Sequence, residues 1–287
     1  MKRKIFLKVL ASTTMVGTGL KSLGKLAQTW EEGDKMPALF VGHGNPMNAI
    51  SENSVTRGWR EMGKGLNPRA ILVVSAHWQT RGTLVTMVDN PRTIHDFGGF
   101  PQALFDVEYP APGAPDVALE LIQGVTNATV EEDHEWGLDH GTWSVLIKMF
   151  PNADVPVLQL SLDYRQGPKY HYALAQQLDF LRKRGVMIVG SGNIIHNLQM
   201  AKWQSNEPYD WAVDFDQKVK DLIDNQTHEL LINYEQLGTP ARLSIPTNEH
   251  YLPMLYTLGL QGDDEKITYF NDHIDMGSMS MRSFVVG

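Results

Sequence analysis

The sequence predicts an α/β protein: a single domain with a mostly parallel sheet flanked by helices, its active site at the carboxyl ends of the strands. Three observations predict this. Short continuous apolar runs recur along the chain, helical periodicities fall between them, and no linker, repeat or low-complexity tract breaks residues 36–287. In chain order the runs are Ala38–Val41, Ala70–Val74, Val155–Leu160 and Val186–Val189. Runs of that length suit strands buried on both faces. Between and after them, Tyr170, Leu174, Leu178 and Leu181 are spaced as one face of a helix, and Trp211, Phe215, Val219 and Leu222 repeat the spacing. Strands alternating with helices lie parallel in a sheet covered on both sides. Pro253, with apolar residues around it, marks the first turn of a further helix.

Composition narrows the function. Hydrophobic residues make up 42% of the 287 and charged residues 20%, ordinary globular usage that excludes disorder and fibrous repeats. The chain has no cysteine, which removes disulfides, thiolate zinc sites, iron–sulfur clusters and cysteine nucleophiles together. The net charge is −8. With no basic stretch beyond the first residues, a nucleic acid partner is not expected. No apolar run approaches the ~20 residues of a membrane span. Nothing in the sequence fixes an oligomeric state.

The first thirty residues are a separate object. They hold six basic residues and no acidic ones, followed by a mildly apolar stretch from Val9 to Leu20. That is the layout of an export signal. Lys2-Arg3-Lys4-Ile5-Phe6-Leu7-Lys8 resembles the bacterial twin-arginine signal, with Lys4 in place of the second arginine. The expectation is a periplasmic protein with an export-signal-like segment over 1–30; the alternative is a cytoplasmic protein with a basic tail.

Histidines follow three of the predicted strands. His43 comes after Val41-Gly42, His77 after Val74-Ser75-Ala76, and His196 after Val189 and the segment Gly190–Asn193. Parallel strands end on one side of a sheet, and ligands bind along that carboxyl edge. These three therefore converge although they are far apart in sequence. Imidazoles gathered at one point suit Zn, Fe, Ni or Cu and point to a metal or catalytic role. His250, His140 and His95 lie in Gly- or aromatic-rich segments whose spacing suits a ligand and a structural residue equally. His134, His171, His228 and His273 have polar or helical surroundings and read as surface or capping residues.

Three tempting motifs fail. His134 to His140 has the second histidine two residues too late for the zinc-peptidase helix, and Gly137 interrupts it. Gly190-Ser191-Gly192-Asn193-Ile194-Ile195 lacks the third glycine of a dinucleotide loop. No Gly-x-Ser-x-Gly elbow exists for a serine hydrolase.

Seven short segments in order then carry a resemblance: Pro37–Met47, Val74–Trp78, Thr93–Pro101, Tyr109–Gly113, Gly137–Trp143, Gly192–Asn197 and Glu249–Pro253. From about Met36 to the C-terminus the sequence resembles the 4,5-DOPA extradiol dioxygenases of the class III extradiol ring-cleavage superfamily. The resemblance implies an enzyme that inserts both atoms of O₂ into a catechol to give a semialdehyde acid. It implies one divalent metal per subunit: Fe(II) for turnover, with Zn(II) in protein purified in air. His43, His77 and His250 align with metal ligands. His196 aligns with the acid/base histidine, which also reaches the metal in zinc-bound members, and His140 with a second histidine at the catechol oxygens. Distant relatives use two histidines and a glutamate, which here would be Glu249. Trp78, Phe97, Phe100, Trp136, Trp143 and Tyr251 are candidates for an aromatic lining, about half of which core packing would claim. The competing readings are a zinc hydrolase using the same histidines and a non-catalytic metal-binding protein of the same fold.

Overall fold

Six strands form the main sheet in a computed structural model that describes residues 35–287. They are β1 (Ala38–Gly42), β2 (Ala70–Ser75), β3 (Val157–Gln159), β4 (Val186–Gly192), β5 (Ile267–Phe270) and β6 (Ser283–Val286). Their order across the sheet is β3-β2-β4-β1-β6-β5. The four expected strands are all parallel: Ala38 pairs with Ile188, Ile71 with Met187 and also with Val157. The export-signal-like segment lies outside the described residues.

The strands bury alternate residues on opposite faces, as the pleat requires. Ala38, Phe40, Leu72, Val74 and Ile188 join one core cluster, whereas Leu39, Val41, Ile71, Val73 and Val189 join another. Six longer helices supply the covering layers: α1 (Ser54–Gly63), α2 (Pro115–Gly124), α3 (His140–Met149), α4 (Pro168–Gln176), α5 (Asp210–Asp224) and α6 (Leu252–Gly259). Helices α2, α4, α5 and α6 pack on the first face, through Leu121, Leu174, Phe215 and Leu255. Helices α1 and α3 cover the second, through Trp59 and Trp143. Among the described residues no helix is long and apolar enough to cross a membrane.

Several local readings change. The stripe from Tyr170 to Leu181 is two helices, since α4 ends at Gln176 and a separate turn spans Asp179–Arg182. Strand β4 runs three residues past its apolar run, through Gly190-Ser191-Gly192. The glycine-rich stretch is thus strand rather than loop. Antiparallel β5 and β6 were not read from the sequence. Strand β5 is mostly half-buried, and β6 has only three apolar residues, so neither shows a clear period. Strand β6 runs antiparallel to β1, Ala38 pairing with Val286, and β5 forms the sheet edge beyond it.

One buried cation ties the far end of the sheet. The Arg182 side chain is fully buried. Its Nε donates to the Met36 carbonyl at 2.6 Å, and Nη1 to the Leu260 carbonyl and Glu265 at 2.8 and 3.0 Å. Nη2 donates to Glu265 and the Val286 carbonyl at 2.6 and 3.3 Å. All five guanidinium N–H groups are satisfied.

Candidate metal centre

Four imidazoles of the centre are set by the end of a strand or the start of a helix, and His196 by the loop after β4. His43 directly follows β1, and its amide donates to the Gly192 carbonyl at 3.0 Å. His77 lies two residues past β2, and the amide of the intervening Ala76 donates to the Ser191 carbonyl at 3.0 Å. His250 precedes α6, and its carbonyl accepts the Asn193 amide at 2.8 Å. That approach needs Gly192, where a Cβ would sit 2.1 Å from the His250 oxygen. The His196 amide donates to the Ser244 carbonyl at 3.0 Å.

His140 opens α3, in a segment that reads as neither helix nor strand. Asp139 caps that helix by accepting from the Thr142 amide. The next residue must be small, since a Cβ on Gly141 would lie 2.6 Å from Ser75 Oγ and 2.9 Å from His77 Cδ2. The helix start therefore presses against the end of β2 and delivers His140 beside His77.

The five rings form one cluster. The centroids of His43, His77 and His250 make a nearly equilateral triangle, with sides of 5.0, 5.3 and 5.1 Å. His140 lies 3.9 Å from His77 and 5.7 Å from His43. His196 stacks on His250 at 3.5 Å with the planes 6° apart. Glu249 lies with His196 and His250, the ligand atoms of the three being within 4.8 Å of one another.

Hydrogen bonds fix two of the tautomers. Ser191 Oγ donates to the Gly141 carbonyl at 2.5 Å, so it accepts from His43 Nδ1 at 3.0 Å. His43 Nε2 is thereby left without a proton. The His250 Nδ1 donates to Glu249 Oε1 at 3.0 Å, an oxygen that also accepts from Thr247. His250 Nε2 is then bare, and it is buried with no hydrogen-bond partner. A carboxylate or hydroxyl behind an imidazole is the usual support of a metal ligand.

The electrostatics favour neutral rings. Burial, then the neighbouring imidazoles, hold His43 and His250 well below the ordinary histidine value. Burial and His140 bring His77 down to about 3, and burial brings His196 to about 4. Neutral imidazole is the form that binds a metal. Two carboxylates stand behind the rings. Burial alone would raise Asp96, but its contacts with His140 and His77 hold it below the ordinary carboxylate value. Asp96 Oδ2 is 2.9 Å from His140 Nδ1 and 3.3 Å from His77 Nδ1, and Oδ1 accepts the His140 amide at 2.9 Å. Asp139 is fully buried and accepts from Ser75 and Gln159, each at 2.7 Å; burial, then Asp96, raises its carboxyl.

These observations fit a metal ion. The Nε2 atoms of His43 and His77 are 3.2 Å apart, a distance that needs a proton or a cation between them. Two ligands on one ion, each at ~2.0–2.1 Å and in tetrahedral arrangement, stand about 3.3 Å apart. The same geometry places ring centroids roughly 5 Å apart, the side of the observed triangle. The ligand atoms of His43, His77 and His140 lie within 4.8 Å of one another, and the orphaned Nε2 of His250 is a further candidate donor.

The remaining histidines separate. The His95 Nε2 meets the Val107 carbonyl at 3.0 Å, among Phe97, Phe105 and Trp143 and outside the cluster. His134 is exposed, and His228 and His273 are half-buried. His171 corrects the surface reading: it is fully buried between α4 and α6, with Nδ1 3.1 Å from the Tyr256 hydroxyl. Helical spacing cannot show which polar residue a neighbouring helix covers. Among the aromatics, Phe97 lies 5.5 Å from His140, and Trp78 and Trp136 stack on each other. Tyr251 belongs to the core, its hydroxyl donating to the Leu231 carbonyl. Asp96, Asp139 and Ser191 were missed by the sequence reading. The available signals were a carboxylate inside the glycine- and aromatic-rich segment, one at a helix cap, and a serine at the end of an apolar strand.

Comparison with known proteins agrees with this architecture. The model of the family described as the catalytic LigB subunit of aromatic ring-opening dioxygenase matches residues 37–286. A 4,5-DOPA dioxygenase extradiol of Escherichia coli K12 is 49% identical over 261 residues, covering 88% of this chain and 95% of that protein. A 4,5-DOPA dioxygenase extradiol of Beta vulgaris is 36% identical, covering 86% and 94%. A crystal structure of an uncharacterized Escherichia coli K12 protein superposes with a TM-score of 0.77 at 44% identity, covering 88% of this chain and all of that one. The chain therefore belongs to the family of the LigB catalytic subunit and is a metal-dependent, extradiol aromatic ring-opening dioxygenase.

Proposed function

We propose that the chain opens a DOPA-like catechol by 4,5-extradiol cleavage, using Fe(II), and forms a semialdehyde acid. The names of the relatives from Escherichia coli and Beta vulgaris support the substrate class. The observation that carries the reading is the packing of the His43, His77 and His250 rings, with centroids 5.0, 5.3 and 5.1 Å apart, and of His140 and His196 beside them. We assign His43, His77 and His250 as ligands. Glu249 is assigned to the support of His250, because its Oε1 faces Nδ1 of that ring. The His196 and His250 rings lie in parallel planes, so their in-plane lone pairs do not meet at a shared point, and we assign His196 to proton transfer and not to the metal.

Fe(II), when bound, supplies open coordination positions and the redox change that lets a catechol react with O₂. The protein handles protons. A catechol must lose its hydroxyl protons on binding, and a neutral imidazole beside it accepts one. His196, held near 4 by burial, is neutral at pH 7 and lies beside His250 in the cluster. His140, with Nδ1 against Asp96, keeps Nε2 for a substrate oxygen. Phe97 packs against His140 with ring centroids 5.5 Å apart.

The test compares metals. Zinc competes well for imidazole sites under the Irving–Williams order but holds one oxidation state. Protein stripped and reloaded with Fe(II) under anaerobic conditions should, on admission of air and L-DOPA, form a yellow semialdehyde and consume O₂ one to one. The zinc form should bind catechols and open none. No O₂ uptake by the iron form with any catechol would overturn the reading in favour of a zinc hydrolase.

We also propose export in folded form to the periplasm, supported by the Lys2–Lys8 motif. Loading of the correct metal in the cytosol before transport would suit that route. Fractionation of cells carrying the intact leader, beside Arg3→Gln with Lys4→Gln, tests it. Cytosolic protein in both cases would make the segment a tail.

A further inference from the structure

We propose that Asp96 is a positioning residue that sets the proton-bearing nitrogen of two imidazoles at once, His77 and His140, so that both present a bare Nε2. The argument starts from His77. As a neutral ring it has one proton to place. It can stand on Nε2, facing His43 Nε2 at 3.2 Å, or on Nδ1, facing Asp96 Oδ2 at 3.3 Å. A carboxylate is the stronger acceptor. With the proton on Nδ1, two bare Nε2 atoms face each other, because Ser191 already leaves His43 Nε2 bare. Only a cation satisfies both.

The same Oδ2 reaches the second ring. It lies 2.9 Å from His140 Nδ1, which has no regular hydrogen-bond partner. Asp96 cannot turn freely, since its Oδ1 accepts the His140 amide at 2.9 Å. The backbone of the ring being positioned thus orients the carboxylate that positions it. One oxygen makes His77 fit to bind a metal and His140 fit to take a proton from a substrate hydroxyl.

Asp96→Asn isolates this role. The His140 amide retains Oδ1, so the new Nδ2 takes the place of Oδ2. An NH₂ group there must donate, and it forces the ring proton of His140 onto Nε2. The expected effect on turnover rests on the reading of His140 given above; the tautomers do not depend on it.

The experiment is two-bond ¹H–¹⁵N correlation of the imidazoles in zinc-loaded, ¹⁵N-labelled protein, with His140→Gln for assignment. His140 should carry its proton on Nδ1 in the wild type and on Nε2 in Asp96→Asn. Zinc affinity should fall roughly 10- to 100-fold in that variant, as on loss of other partners behind ligands. Turnover of the iron form should fall at least as far, through kcat more than KM. Asp96→Glu, which keeps the carboxylate, should keep both Nδ1 protons and recover most of the zinc affinity. A wild-type His140 protonated on Nε2 would overturn the proposal whether or not any variant folds, as would an unchanged His140 tautomer in Asp96→Asn. The predicted tautomers in a protein that opens no catechol would sink the functional reading and leave this one standing.

Discussion

Arg182 and the imidazole cluster are both polar groups taken out of water, and they are built in opposite ways. Each of the five Arg182 donors meets a carbonyl or carboxylate. The cluster packs the rings of His43, His77 and His250 with centroids 5.0, 5.3 and 5.1 Å apart and gives acceptors to the outer nitrogens of His43 and His250, through Ser191 and Glu249. The inner nitrogens meet one another or, at His250, nothing. A saturated buried network holds a fold, whereas a half-satisfied one is costly unless something completes it. Titration does not separate the two kinds of site. Burial lowers His171, a core residue beside Tyr256, to about 4, close to His196. His171 also leaves its Nε2 without a partner; the cluster differs in that its nitrogens lie beside those of other histidines.

The comparison breaks most visibly at Arg182. Arg182→Met strips three carbonyls of their guanidinium donor in the interior and leaves Glu265 with Lys35 alone as its cationic partner. It should destabilise the protein by about 3–5 kcal/mol, as loss of one member of a buried pair does. Denaturant unfolding of the metal-free protein measures this. The molecules that remain folded should bind metal at the wild-type stoichiometry. Metal loss in proportion to lost stability would mean that the two regions are not separate.

His43→Ala or His77→Ala should give the reverse outcome. The purified protein should hold close to no metal, with thermal stability near that of the wild-type apoprotein. His140→Ala should keep its metal and lose turnover by roughly 10²–10⁴-fold, the usual range for a positioned acid or base. Elemental analysis of the three variants decides between these roles. Equal metal loss in all three would make His140 a ligand.

Glu249→Gln sharpens the comparison within the cluster. If Glu249 only supports His250, metal affinity should fall by roughly 10- to 100-fold with the stoichiometry unchanged at saturation. A complete loss would make Glu249 a ligand. The smallest effect lies at acid pH. Burial alone would raise Glu265, but Arg182 and Lys35 hold its carboxyl below the ordinary value of 4.5. Its share of stability is therefore fully present above that value and is lost as pH falls through the lower folded one. Unfolding free energy should be flat in this respect above pH 4.5 and decline below it. Arg182→Met should reduce that part of the slope, leaving the share held by Lys35.

Much of this was legible in the sequence where the signal was local. The four parallel strands announced themselves as apolar runs, and histidines two residues or fewer past β1 and β2 could only emerge at one edge. His250 needed the resemblance, because nothing in Asn248-Glu249-His250 shows that Gly192 lets its carbonyl approach β4. Asp96 stands next to His95 in the segment Thr93–Pro101, where the histidine is the more conspicuous candidate but faces Val107. A residue that acts through another leaves no spacing of its own. The strands β5 and β6 were hidden by half-burial and by brevity, and His171 by a neighbour that only the fold supplies.

The most direct measurement is the structure of the protein crystallised with zinc, with the ion located by its anomalous scattering. The account predicts a single ion about 2.0–2.1 Å from Nε2 of His43, His77 and His250, with Asp96 and Glu249 on the outer nitrogens and His196 uncoordinated. An ion bound through a Glu249 oxygen, or one held by His43, His77 and His140 with His250 left free, would contradict it.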